Sequence, residues 1–234
     1  MRNALYATAL GGALAMGLGA GTAHALPVYL GISIDGGSIN TLTSNDGGAT
    51  YSGSNAAGSI SITATGTPGS NGTPPQPYLF SDQITFDSSG AHTVHIYVSE
   101  LGLTQNNFSA LSTGFANNSN SSINLTESSY AQNCAASSCV ASDAFATTNL
   151  LATDTVAPGA PTTSISSPLP AGLGVGSQWS ETEVFTLNFA SAGQSSAGSI
   201  GITSVPEPAS IALLGIGALG VTMLRRRKSG ATAV

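Results

Sequence analysis

Between Leu26 and Ser204 the sequence contains neither lysine nor arginine. All five basic residues of the 234-residue chain stand outside that stretch, as Arg2, Arg225, Arg226, Arg227 and Lys228. The same stretch carries ten acids: Asp35, Asp46, Asp82, Asp87, Glu100, Glu127, Asp143, Asp154, Glu181 and Glu183. Direct binding of nucleic acid is excluded, because cationic side chains are needed to displace the counterions of a phosphate backbone. Salt bridges to Lys or Arg are excluded as well, so burial and hydrogen bonding must hold the fold. An anionic polysaccharide is repelled unless a divalent cation bridges it, whereas a neutral glycan is not. A sustained helical period is also missing from this stretch, which leaves strands as its regular structure.

Two segments outside the acidic stretch carry addresses. At the start, Arg2 precedes an apolar run from Ala4 to Leu18, and Ala23-His24-Ala25 forms an A-x-A site. This is the pattern of a Sec-type signal peptide over 1–25, with Ala23 and Ala25 at the cleavage site and Leu26 as the first mature residue. At the end, Val205-Pro206-Glu207-Pro208 is followed by an uncharged apolar run, Ala209 to Leu224, and then by Arg225 to Lys228. Pro206 and Pro208 favour an extended approach. As a helix, 209–224 reaches roughly 24 Å, a little short of the ~30 Å hydrocarbon core. The basic cluster acts as a stop-transfer signal on the cytoplasmic side, with 229–234 as a cytoplasmic tail.

This order of parts resembles the PEP-CTERM sorting signal of exported proteins of Gram-negative bacteria. The resemblance implies export by a Sec-type machinery and transient membrane insertion through the C-terminal helix. It also implies recognition of 205–228 by an exosortase-type membrane protease. The setting it implies is the cell surface or extracellular space, reached through a membrane-anchored precursor. It implies no activity for the part in between.

About 180 residues lie between the signals, enough for one domain with a substantial core. Apolar alternation predicts strands. Val28, Leu30, Ile32 and Ile34 form one such set, ending at Asp35-Gly36-Gly37. Ile60 and Ile62 form another. Tyr78 to Phe86 reads as a bent strand or strand pair with Phe80, Ile84 and Phe86 on one parity. Val94, Ile96 and Val98, the short Ile123–Leu125, and Phe185, Leu187 and Phe189 complete the series. Turn-forming runs separate them at Asn45 to Gly48, Pro68 to Pro77 and Asp87 to Gly90. The expected class is all-β, a single antiparallel β-sandwich-like domain over 26–190. The strand content of 104–120 and 153–176 is left open, and 191–204 reads either as a last strand or as a flexible tether.

Cys134 and Cys139 are the only cysteines, and export favours a disulfide between them that pins a loop tip. No further ligands stand nearby for zinc. His92 and His95, three apart on a strand, point to opposite faces and do not converge. No G-x-S-x-G elbow supports a catalytic serine; Ala197-Gly198-Ser199-Ile200-Gly201 lacks its first glycine. Glu181 and Glu183 share strand parity, roughly 7 Å apart, and Trp179 stands beside them. The plain reading is a solvated rim for the two acids and a plug at a sandwich end for Trp179. A glycan contact or a glycosidase acid pair is the sharper one. Asp35-Gly36-Gly37 and Asn45 to Gly48 are explained by turn chemistry, and calcium is an alternative motivated by the unneutralised acidity. No cofactor and no metal ligand are assigned. Sequons stand at Asn71, Asn107, Asn117, Asn120 and Asn124, in polar sequence where they arise by chance.

Two functions follow. One is a non-catalytic surface or matrix protein, associated with exopolysaccharide or biofilm. The other is an extracellular glycan-binding module or polysaccharide hydrolase that uses Trp179, Glu181 and Glu183.

Overall fold

The computed structural model describes residues 25–67, 77–104, 108–118 and 123–206. The expected signal peptide up to residue 24, Glu207 and Pro208, the apolar run 209–224, the basic cluster 225–228 and the expected tail 229–234 lie outside the described residues. Twelve strands pack as two antiparallel six-stranded sheets. They are β1 (Pro27–Ile34), β2 (Asn40–Asp46), β3 (Gly48–Asn55), β4 (Gly58–Thr65), β5 (Tyr78–Ser88), β6 (His92–Leu103), β7 (Phe108–Asn117), β8 (Leu125–Asn133), β9 (Leu150–Val156), β10 (Thr163–Pro168), β11 (Trp179–Phe189) and β12 (Ser195–Pro206). The first sheet has the order β2-β1-β6-β11-β8-β9 and the second β10-β7-β12-β5-β4-β3. Among the described residues no helix is long and apolar enough to cross a membrane.

The alternation seen in the sequence is the alternation of burial. Val28, Leu30 and Ile32 of β1 face inward, as do Val94, Ile96 and Val98 of β6 and Phe185, Leu187 and Phe189 of β11. Asp35 and Gly36, both in the left-handed region, turn the chain after β1. Gly47, at φ 77°, carries it from β2 in the first sheet to β3 in the second.

Three readings are resolved or change. Of the two readings of 191–204, last strand and flexible tether, the strand is the one seen: β12 runs through it and sits at the centre of the second sheet, between β7 and β5. Gly and Ser composition suggested flexibility, but Ile200 and Ile202 are wholly buried and small residues fill the rest of the strand. The domain therefore extends to Pro206, past residue 190. Phe80 does not share a face with Ile84 and Phe86. Across the span Ser81 to Ile84, β5 uses three residues where β12 and β4 each use two, a bulge that reverses the parity. Leu79 and Ser81 point inward before it, and Ile84 and Phe86 after it. The open regions do contain strands, β7 within 104–120 and β10 within 153–176.

The interior holds two apolar clusters. The larger contains Val28, Leu30, Phe86, Ile96, Val98, Phe115, Leu125, Phe185 and Ile200 among others. The smaller contains Leu103, Phe108, Leu111, Ala131, Leu173, Trp179 and Ile202.

Candidate functional site

What separates the two clusters is polar. Reading along β11, Trp179 belongs to the smaller cluster and Phe185 to the larger, with Glu181 and Glu183 between them. Along β8, Glu127 and Ser129 lie between Leu125 and Ala131. Along β6, Glu100 follows Val98, and along β7, Thr113 lies between Leu111 and Phe115. Glu100, Glu127, Glu181 and Glu183 are each 0% exposed. Strands β6, β11 and β8 are neighbours at the centre of the first sheet, so register fixes the arrangement. Glu100 stands directly opposite Glu181, and Glu127 opposite Phe185, which makes it diagonal to Glu183.

The second sheet answers this belt with hydroxyls and glycines. The Thr67 amide and hydroxyl, just beyond β4, donate to the two oxygens of Glu100 at 2.5 and 2.7 Å. The Ser81 hydroxyl donates to Glu183 Oε2. Thr113 and Ser129 share a hydroxyl–hydroxyl bond of 2.8 Å across the interior. Gly66 and Gly198 leave room for carboxyls: a Cβ at Gly66 would stand 2.6 Å from Glu100 Oε1, and one at Gly198 would stand 2.8 Å from Glu127 Oε1.

The donors run out before the acceptors do. No hydroxyl or amide among the described residues bonds either oxygen of Glu181 or Glu183 Oε1, and Glu127 has only the Ala116 backbone near it. Glu181 does approach the carboxyl of Glu100, and two carboxyls bond only when a proton lies between them. Burial is the main cause that pushes all four carboxyls above the usual range. It pushes Glu100 up to about 7, against the opposing bonds from Thr67. It pushes Glu127 up to about 9, with Asp154 adding to the effect and the nearby Ala116 backbone opposing it. Glu181 is raised by burial and then by Glu100 and Glu183. Glu183 is raised by burial and by Glu127 and Glu100, opposed by Ser81.

Glu181 and Glu183 were expected at a solvated rim and Trp179 as the plug at a sandwich end, with a glycan contact by all three as the alternative. The structure places all three inside the sandwich at 0% exposure, so as they stand they form no surface platform and face no open cleft. The sequence reading failed because β11 keeps one parity from Trp179 to Phe189 while its inward residues change from charged to apolar. The partners Glu100 and Glu127 were missed for the same reason. Their signal was present: each continues the parity of an apolar set, Glu100 after Val94, Ile96 and Val98, and Glu127 after Leu125.

Other candidates stand apart from one another. Asp35 Oδ2 contacts His92 Nδ1 at 2.8 Å, and Asp35 Oδ1 accepts the Thr93 amide at 2.9 Å. The His92 contact is the main cause lowering the Asp35 carboxyl, ahead of the Thr93 amide. His95 Nδ1 pairs instead with Thr186 Oγ1 at 3.0 Å, so the two histidines do not converge. Among the described residues no group of three or more His, Cys, Asp or Glu could hold a metal ion. Asn117 is buried and its side-chain amide donates to Ile123 O and Val156 O, which leaves that sequon inaccessible. Cys134 and Cys139 form a disulfide. Its loop grips the approach to β11: the Cys134 amide donates to Gln178 O, and the Cys139 amide to Gln178 Oε1, both at 3.0 Å.

The outer face of the second sheet carries an uncharged groove of about 530 Å³ lined by Tyr78, Phe80, Gly114, Ser164, Gly201 and Thr203 among others. Tyr78 and Phe80 stack at 6.5 Å. Gly114 and Gly201 are cross-strand partners in its floor.

No curated protein and no solved structure matches the chain. Its C-terminal part does match: residues 204–228 fit the PEP-CTERM protein-sorting motif, whose first residues, Ser204 to Pro206, are the last of β12. The chain thus carries a PEP-CTERM sorting motif joined directly to its β-sandwich.

Proposed function

We propose that the β-sandwich is a non-catalytic module displayed at the cell surface or released into the surrounding matrix. The observation that carries this reading is the sorting motif at 204–228, which implies an exported, membrane-anchored precursor processed by an exosortase. The burial of Glu181 and Glu183 adds support, since a glycosidase acid pair must flank its substrate. Intact-mass measurement of the protein recovered from cell surface and medium tests the reading. A species that starts at Leu26 and ends near Glu207 is expected. Retention of Arg225 to Lys228 on all recovered protein would instead make the tail a plain membrane anchor.

A second reading, glycan binding, is favoured by the outer groove. Its lining offers two aromatic faces and several hydroxyls without charge, which suits a neutral saccharide and not a polyanion. Calorimetric titration with neutral hexasaccharides such as cellohexaose or laminarihexaose separates the two. Heat of binding that disappears in Phe80→Ala favours the second reading, and no heat with any of them leaves the first.

A further inference from the structure

The carboxyl belt has an odd feature for the interior of an exported domain. Four glutamates share it, and the whole stretch from Leu26 to Ser204 has no Lys or Arg to neutralise them. Charged carboxylates in such a place repel one another at close range in a medium of low dielectric. Protonation removes the charge and at the same time supplies the O–H through which Glu181 and Glu100 can bond to each other. We propose that protons on this belt hold the two sheets together, so that the domain closes in acidic surroundings and loosens across the belt as the medium turns alkaline.

The groups facing the belt are few. Glu100 comes from β6, Glu127 from β8, and Glu181 and Glu183 from β11. Asp154 of β9 acts on Glu127 and is a further negative charge. The second sheet presents Thr67, Ser81 and Thr113, which do not titrate in the ordinary range. Along β6 the nearer histidine, His95, is five residues from Glu100, roughly 16 Å at the usual strand rise. Among the described residues no positive group therefore offsets the belt when it ionises.

The sign follows from proton linkage. A carboxyl that holds its proton more tightly in the folded chain binds more protons folded than unfolded. Its stabilising effect is complete below the ordinary carboxyl value of 4.5 and drains as pH rises through the folded value, about 7 for Glu100 and about 9 for Glu127. A domain displayed outside the cell takes its pH from the medium, so the belt would couple its folding to external conditions. The coupling itself does not depend on where the domain is displayed.

The test is thermal unfolding of the full chain in a mild non-ionic detergent, followed from about pH 5 to about pH 9. A fall in melting temperature of more than about 10 °C is expected over that range. Glu181→Gln and Glu183→Gln keep the shape and cannot ionise, so each should flatten the fall. If neither variant folds, urea unfolding of the unaltered chain at the two pH extremes still reads the protons released on unfolding, as a lower stability at the alkaline extreme. A melting temperature that stays level or rises with pH overturns the proposal. So does recovery of the alkaline loss by calcium chloride with its reversal by a chelator, because the ionised belt would then be held by a cation and not by protons.

Discussion

Along the inner face of β11 the packing changes character twice within eleven residues. Trp179 packs in the smaller apolar cluster, Glu181 and Glu183 form the middle of the belt, and Phe185 begins the larger cluster. All of these side chains are equally buried, at 0% exposure. Burial alone is therefore not what distinguishes them. Apolar side chains are stabilised by leaving water in proportion to area, and any neighbour of the right shape will serve. A buried carboxyl needs its own donor or its own proton, and its neighbours decide whether it stabilises or costs.

The largest effect should come from the apolar side of this comparison. Phe185→Ala removes a wholly buried ring at the centre of the first sheet, and a loss of about 3–5 kcal/mol is expected. Urea unfolding measures it directly. A loss below about 1 kcal/mol would mean that the larger cluster is not packed as described.

Within the belt, two members should respond in opposite directions. Glu100 is held by two bonds from Thr67. Glu100→Met strands the Thr67 amide and hydroxyl, and should cost about 1–3 kcal/mol. Glu181 receives no such donor. Glu181→Met removes a carboxyl that has only other carboxyls for company, and should stabilise the domain by about 1–2 kcal/mol near neutral pH. The same denaturation series at pH 7 compares them. If both substitutions destabilise equally, the belt acts as one indivisible network and the distinction between satisfied and unsatisfied members fails.

The disulfide addresses a third region, the chain just before β11. It closes a loop with a sequence separation of five, for which loop-closure entropy gives about 2 kcal/mol. Reduction should lower stability by about that amount. It should also raise hydrogen exchange first at Gln178, whose backbone and side chain the loop holds. Uniform loosening of the whole fold at the same reductant concentration would contradict a local clamp.

How far the sequence could be read follows the same division. Strands whose inner face is apolar, such as β1 and β6, announce themselves by alternation. The reading stops where the inner face turns polar. β8 was visible only at Leu125, because Glu127, Ser129 and Ala131 carry its inward parity without a hydrophobic signature. In sequence β12 reads either as strand or as tether because its inner face is half glycine and serine, a composition that makes sense only beside Glu127 and Leu125 of the other sheet. The bulge in β5 has no local mark in sequence, since a parity change needs a partner strand to define it. The C-terminal motif was legible because its signature is a contiguous run of residues, 204–228.

The smallest effect belongs to the outer face, where the same residue type has a different task. Gly198 of β12 faces inward, and a Cβ there would fall 2.2 Å from Leu125 Cδ2 and 2.8 Å from Glu127 Oε1. Gly198→Ala should therefore overpack the belt and cost about 1–3 kcal/mol. Gly114 of β7 faces the groove, and the nearest atom to an added Cβ is Thr163 O at 3.8 Å, an ordinary contact. Alanine loses less backbone freedom than glycine on folding, so Gly114→Ala should change stability by no more than about 0.5 kcal/mol. Melting curves of the two variants side by side decide between them. Equal losses would mean that the groove floor is packed against something, and that the outer face of the second sheet is not the open surface the two glycines make it.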